Sequence, residues 1–192
     1  MRKILLASRS PRRKAILRFA GVPFHVVEPR GVQETLRHGE RPRRFVTRLA
    51  IEKATEVALR HPQALCLGAD TVVVQGGKIF GKPKDRQEAA RMLQALSGKA
   101  HEVWTGVALV GKGGKWVRSH AERTRVTFRA LSPQEVLAYL KTREAYDKAG
   151  AYAIQGTARR WIKDWEGDYF NVMGLPVKWV VREANRSRAL FG

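Results

Sequence analysis

The chain is short of cysteine, of acid and of long apolar runs. Cys66 is its single cysteine, which excludes an intrachain disulfide framework and any multi-cysteine zinc pattern. A reducing compartment is then the default, and a cytoplasmic location is expected. The basic start Met1-Arg2-Lys3 is followed by an apolar stretch far too short for a signal peptide or a membrane span. His25, His38, His61, His101 and His120 show no ligand spacing, and no Ser-His-Asp, Cys-His or nucleophile-elbow pattern occurs. Internal repeats, low-complexity tracts and clear linkers are also missing. What remains is ordinary for a soluble globular protein: 192 residues, 44% apolar and 28% charged, enough for one domain or two tightly joined lobes.

The scarcity of acid sets the charge. Against 37 Lys and Arg there are 17 Asp and Glu, a formal charge of +20. Residues 1–60 hold 15 basic and 5 acidic side chains, interleaved with apolar positions, so this is not a disordered basic tail. Such a charge attracts polyanions, whether nucleic acid, an anionic membrane or small phosphorylated substrates. No RNA-binding aromatic signature, helix-turn-helix spacing or zinc finger accompanies it.

The pattern predicts alternating strands and helices, then hairpins. Ile4-Leu5-Leu6-Ala7 reads as a buried strand. Ser10 is a suitable N-cap and Pro11 a suitable first residue for a helix that Gly21 can end. A second helix is expected over 42–60, with Phe45, Val46, Leu49, Ala50, Ala54, Val57 and Ala58 on one face. Strand positions over 65–67 and 71–74 lead into the hairpin turn Gln75-Gly76-Gly77-Lys78. Its register pairs Val73 with Phe80 and, if continued, Thr71 with Lys82. Asp85 and Glu88 mark a capping box, as do Ser132 and Glu135. Strands are expected over 103–110, 115–120 and 124–129, extended segments over 151–154 and 168–172, and a helix over 176–188. Only Trp161 and Trp165 among the tryptophans have helical spacing. Gly111-Lys112-Gly113-Gly114-Lys115 lies between strands and reads as a hairpin tip, not a phosphate loop. The mixture argues for α/β or α+β with a mixed sheet.

Polar residues in apolar patterns are the informative ones. The elbow Ser8-Arg9-Ser10-Pro11-Arg12-Arg13 puts two guanidiniums at a helix start. That is either a polyphosphate site or a solvated basic turn. Lys53 falls near the centre of the second helix's apolar face, so its ammonium either snorkels out or points into an anion-binding cleft. Asp70 interrupts a β-branched run, as a turn or bulge residue or as a partly desolvated carboxylate that binds a divalent metal or activates water. Lys82 comes near Asp70 only if the hairpin bulges or frays there. Cations for a polyphosphate plus a carboxylate for metal or water amount to a phosphoanhydride hydrolase.

With those motifs in place the chain resembles the Maf family of nucleoside triphosphate pyrophosphatases. The likeness rests on the Ser8–Arg13 elbow, Val32-Gln33-Glu34-Thr35, Leu49-Ala50-Ile51-Glu52-Lys53-Ala54 and Gly68-Ala69-Asp70-Thr71-Val72-Val73. It continues through Gly81-Lys82-Pro83, Ser97-Gly98-Lys99-Ala100-His101, the run from Asp147 to Gly156, and Asn171-Val172-Met173-Gly174-Leu175-Pro176. The resemblance implies a single domain over 1–192 with an α/β, two-lobed fold. Its elongated mixed sheet would carry a central cleft, as in inosine-triphosphate pyrophosphatases. It implies hydrolysis of a nucleoside triphosphate to the monophosphate and pyrophosphate with Mg²⁺ or Mn²⁺. Asp70 matches the family's proton acceptor and, with Glu34, the metal-holding acids. Ser8, Arg12, Arg13, Lys53 and Lys82 match the phosphate-binding set. Arg12, Thr71 and Gln155 match the branch that acts on dTTP and UTP. The expected partner is the nucleotide. The resemblance is compatible with a homodimer, which repulsion at +20 opposes. The basic surface could take nucleic acid but not as the primary partner, and no membrane is expected. The alternative is a basic nucleic-acid-binding or septum-formation regulatory protein. Arg159-Arg160, where the family is usually small or apolar, departs from the pattern.

Overall fold

The computed structural model describes residues 4–187. It contains a seven-stranded mixed sheet flanked by helices, in the order β1 (Ile4–Leu6), α1 (Pro11–Phe19), β2 (Phe24–Val26), α2 (Pro42–Arg60), β3 (Cys66–Gln75), β4 (Lys78–Phe80), α3 (Arg86–Leu96), β5 (Ala100–Gly111), β6 (Trp116–Phe128), α4 (Pro133–Lys141), β7 (Ile162–Glu166), α5 (Tyr169–Val172) and α6 (Val177–Arg186). Strand order is β2-β1-β3-β5-β6-β7, with β4 paired to β3. β1 runs parallel to β2 and β3, whereas β3–β4 and β6–β7 are antiparallel. Two compact units are distinguished among the described residues: 4–70, 105–122 and 174–187 in one, Thr71–Trp104 and Arg123–Met173 in the other. No helix among the described residues is long and apolar enough to cross a membrane.

One buried cluster of the first unit consists of small side chains. Ala7, Ala50, Ala54, Val57, Ala58, Cys66, Ala108 and Val110 form it, and they let α2 lie close on the sheet. Two glycines tighten that approach. A Cβ on Gly68 of β3 would stand 2.1 Å from the Ala50 carbonyl oxygen, and one on Gly106 of β5 would stand 2.2 Å from that of Val46.

Local signals set the element ends. The Ser10 side chain accepts from the Arg13 amide, and Pro11 occupies the first turn of α1. Asp85 accepts from the Glu88 amide, but Glu88 reciprocates to the Lys84 amide at 2.7 Å, one residue before the cap. At α4 both halves of the capping box with Ser132 and Glu135 are present.

Several expectations are corrected. The segments over 115–120 and 124–129 belong to one strand, β6. Its first half is partly exposed, so its polarity imitates a loop. Residues 151–154 form no strand: Gly150 (φ 67°) and Ala151 (φ 62°) are both left-handed and end a short 3₁₀ turn, Ala149–Ala151, after which Tyr152 is extended. In place of an extended segment over 168–172 stands α5, capped by Asp168, whose Oδ1 accepts from the Phe170 and Asn171 amides. Trp161 and Trp165 share no helix: Trp161 ends a 3₁₀ turn and Trp165 lies on β7. The β3–β4 ladder pairs Gln75 with Lys78, Val74 with Ile79 and Val73 with Phe80, and β4 ends there. Thr71 and Lys82 are therefore not ladder partners. The Gly81 carbonyl accepts instead from the Gly150 amide, and Pro83 has no N–H to offer a ladder. The expected helix over 176–188 is α6; Arg188 lies outside the described residues.

The second unit has an aromatic core. Tyr139 packs edge-on against Trp161, and Phe128 against Tyr152. His101 is buried among them, its Nε2 2.8 Å from the Tyr152 hydroxyl. Burial pushes the imidazole pKa down to about 4. With the folded value depressed, the unfolded chain binds the extra proton first as pH falls. Stability contributed above pH ~6.5 is thus lost toward pH 4, on the order of 3 kcal/mol. His101→Phe should flatten that part of the pH–melting curve; an unchanged slope between pH 6.5 and 4 would assign the loss elsewhere.

Candidate active site

Gly68 and Asp70 lie two residues apart on β3, so they share one face of the strand. Because α2 is seated on Gly68, that face presents Asp70 to the helix. Lys53, on the same helix face as Ala50 and Ala54, meets it: Lys53 Nζ donates to Asp70 Oδ1 at 2.6 Å. Both residues are 7% exposed. Glu34, on the segment before α2, brings Oε1 to 2.6 Å from the same nitrogen. Its side chain is 48% exposed against 11% for Asp70, so Glu34 is the solvent-facing carboxylate and Asp70 the buried one. Lys53 therefore neither snorkels out nor stands alone; two of its three protons meet carboxylates.

The α1 elbow adds guanidiniums. Arg13 Nε donates to the Gly174 carbonyl at 2.9 Å and Nη1 to Ser8 Oγ at 3.0 Å. Burial lowers the Arg13 pKa, with the charge on Asp70 opposing that shift; the group stays cationic. Burial likewise raises the Asp70 pKa, more than Lys53 and Arg13 lower it, and Glu34 adds to the rise. Asp70 is thus a better proton acceptor than a solvated aspartate. Arg12 also contributes positive charge here, pushing the Arg13 value further down.

Ser8, Arg12, Arg13, Glu34, Lys53 and Asp70 all belong to the first unit. Thr71 is the next residue on β3. It belongs to the second unit with Lys82, exposed after β4, and Gln155, exposed before the 3₁₀ turn Thr157–Trp161. That turn is held at its start by Glu144, which accepts from the Thr157 amide at 3.0 Å and from its hydroxyl at 2.7 Å.

Among the described residues no three His, Cys, Asp or Glu side chains gather as a metal-binding group. Asp70 and Glu34 supply hard oxygen ligands, and in this structure an oxygen of each lies 2.6 Å from the same Lys53 ammonium. Mg²⁺ commonly takes one or two carboxylates and completes its shell with water and substrate phosphate. The donor set fits that ion.

The sequence pattern did not single out Gly68 or Arg48. A glycine inside a β-branched run, two residues before an aspartate, is the available signal for the first. For the second it is an arginine four residues before Glu52 on α2.

The match to the family described as Maf-like protein spans residues 3–186. The chain belongs to this Maf-like family. A dTTP/UTP pyrophosphatase of Bacillus cytotoxicus is 49% identical to this Maf-like chain over 183 residues, covering 95% of the chain and 94% of that protein. A Bacillus anthracis protein of the same name is 48% identical with the same coverage. A HAM1 protein structure from Coxiella burnetii aligns at TM-score 0.47 and 16% identity, over 74% of this chain and 98% of that one.

Proposed function

We propose that this Maf-like chain hydrolyses dTTP and UTP at the α–β phosphoanhydride, releasing the nucleoside monophosphate and pyrophosphate. The observation that carries this reading is the buried Asp70 carboxylate, made more basic by burial, bonded to Lys53 and in the field of Arg13. The relatives that carry the dTTP/UTP name, 48–49% identical, support the substrate.

Asp70 orients a water toward the α-phosphorus and takes up its proton. The new P–O bond forms as the bond to the bridging oxygen breaks, and pyrophosphate leaves with that electron pair. Arg12 and Arg13 neutralise charge on the phosphate oxygens, and the Ser8 and Gly174 contacts fix the Arg13 fork before substrate arrives. Lys53 holds both carboxylates and keeps a third proton for a phosphate oxygen. Lys82 completes the phosphate set by its family match. A bound Mg²⁺ or Mn²⁺ would be held by Asp70 and Glu34, and would supply charge neutralisation and a more acidic water. A cation held there would lower the basicity of Asp70 and weight its role toward orienting the attacking water. A second copy of the chain as a homodimer partner belongs to the same proposal.

The test is a nucleotide panel with product identification: pyrophosphate from dTTP and UTP supports the reading, and orthophosphate or no product rejects it. Gln155 carries a side-chain amide that both donates and accepts, suited to a pyrimidine edge. Gln155→Glu should lower kcat/KM for UTP about 10-fold or more while other bases change less. An equal loss for every nucleotide would assign Gln155 a phosphate or folding role.

One observation favours a second reading, nucleic-acid binding. Arg37, Arg43 and Arg44 line a concavity of about 730 Å³ beside the start of α2, together with Glu40 and the Arg48 that it pairs, on a chain of charge +20. Removing Arg43 and Arg44 should then shallow the salt dependence of DNA or RNA binding by about one unit of slope each. Salt-steep binding without nucleotide turnover would displace the enzyme reading.

A further inference from the structure

Glu34 lies on a stretch, residues 27–41, without helix or strand. Its carboxylate nevertheless sits 2.6 Å from Lys53, so something must hold that stretch to α2. The Arg30 amide on Glu56, Arg60 on the Glu28 carbonyl and Arg37 on Glu52 tie it at other points; next to Glu34, Arg48 does so with its whole fork. Its Nε and Nη2 donate to the two Glu40 carboxylate oxygens at 2.7 Å each, a bidentate pair. Nη2 also donates to the Thr35 carbonyl at 3.0 Å, one residue from Glu34. Nη1 reaches both Glu52 oxygens at 3.2 Å, which anchors the guanidinium to the helix that carries Lys53. The same Glu40 accepts from the Arg37 amide at 3.2 Å, closing the end of the stretch on itself. With side chains 15% and 9% exposed, Arg48 and Glu40 are largely shielded from water, unlike the exposed pairs that contribute little.

We infer that Arg48 is the positioning residue that sets Glu34 against Lys53 and thereby governs how tightly the site holds a divalent cation. The inference rests on the reading of Glu34 as a cation-holding carboxylate. Arg48 touches neither nucleotide nor cation; it acts through the Thr35 carbonyl and Glu40. Lysine cannot replace it, because one ammonium with three donors cannot serve a carboxylate pair, a backbone carbonyl and a second carboxylate in fixed directions. The same logic applies to groups behind metal ligands in general, whose loss weakens metal affinity by about 10- to 100-fold.

The experiment uses the full chain as wild type, Arg48→Lys, Glu40→Ala and Glu34→Gln. Mn²⁺ binding is titrated by electron paramagnetic resonance with a non-hydrolysable UTP analogue present, and amide exchange is followed over residues 33–40. The charge-conserving Arg48→Lys should weaken Mn²⁺ about 10-fold and speed exchange in that stretch. Its kcat should be restored at saturating Mg²⁺, with the nucleotide KM little moved. Glu40→Ala should shift both readouts the same way by roughly three-fold or more, and carries the test alone if Arg48→Lys does not fold. Wild-type Mn²⁺ affinity in folded Arg48→Lys or Glu40→Ala, with weakened affinity in Glu34→Gln, would overturn the role of Arg48. Wild-type affinity in Glu34→Gln would overturn the role of Glu34, and this inference with it.

Discussion

Asp70→Asn lowers pyrophosphate release from dTTP and UTP by roughly 10²- to 10⁴-fold, the span associated with losing a general base or a water-orienting carboxylate. The substitution keeps an oxygen for Lys53 and nearly the same volume, so the fold survives while the proton acceptor is lost. In the wild type, kcat/KM should fall on the acid side with an apparent pKa above the ~3.9 of a free aspartate, because burial raises the Asp70 value beyond what Lys53 and Arg13 take back. The stability effect runs the other way. A folded-state pKa above the unfolded one means stability is fully present below the unfolded value and is lost as pH rises through the folded value. Activity and stability therefore pull apart across the same titration: the ionised form works, and the protonated form is the more comfortable one to bury. Added Mg²⁺ should move the acid limb to lower pH, since a cation at Asp70 favours its charged state. Wild-type turnover in Asp70→Asn would remove the residue from the mechanism.

The second large effect is on folding. Gly68→Ala should destabilise the chain by about 3 kcal/mol, the upper range for overpacking a rigid core. For a chain of this size that lowers the melting temperature by roughly 6–12 °C. The new methyl would stand 2.1 Å from the Ala50 carbonyl oxygen and 2.9 Å from the Ala54 nitrogen. Both are backbone atoms of α2, so no rotamer change relieves the clash; the helix has to move off the strand. Lys53 then moves with it and loses its 2.6 Å contact to Asp70. Thermal melting and steady-state kinetics should both report the change, with kcat falling even where the protein is still folded. Gly68→Ala melting within 2 °C of wild type would show that α2 is not seated on this glycine.

These two positions also mark what could be read in advance. Lys53 and Asp70 were visible because each breaks its own local pattern, a cation on an apolar helix face and an aspartate in a β-branched run. That they bond to each other was not visible. They are separated by 17 positions and belong to a helix and a strand, and nothing in either pattern fixes how closely the two pack. The glycine that fixes it reads, in sequence, as a mere weak spot in a strand.

The same division holds for the fold. Ser10 with Pro11, Ser132 with Glu135, and Gln75-Gly76-Gly77-Lys78 act through neighbours in the chain, and α1, α4 and the three β3–β4 pairs next to the turn form as expected. The turn at Ala149–Ala151 depends on Gly150 meeting the Gly81 carbonyl and packing under Val73, contacts that no local pattern encodes. β2 and β7, at the two ends of the strand order, went unread for a related reason. Each is short and presents little of the alternation that a half-buried strand shows.

The proposed reaction requires water to attack the α-phosphorus. Hydrolysis of UTP in ¹⁸O-labelled water, with both products analysed by mass spectrometry, measures this directly. The label is predicted in the phosphate of UMP, with unlabelled pyrophosphate. Label in the pyrophosphate, or release of labelled orthophosphate, would contradict it.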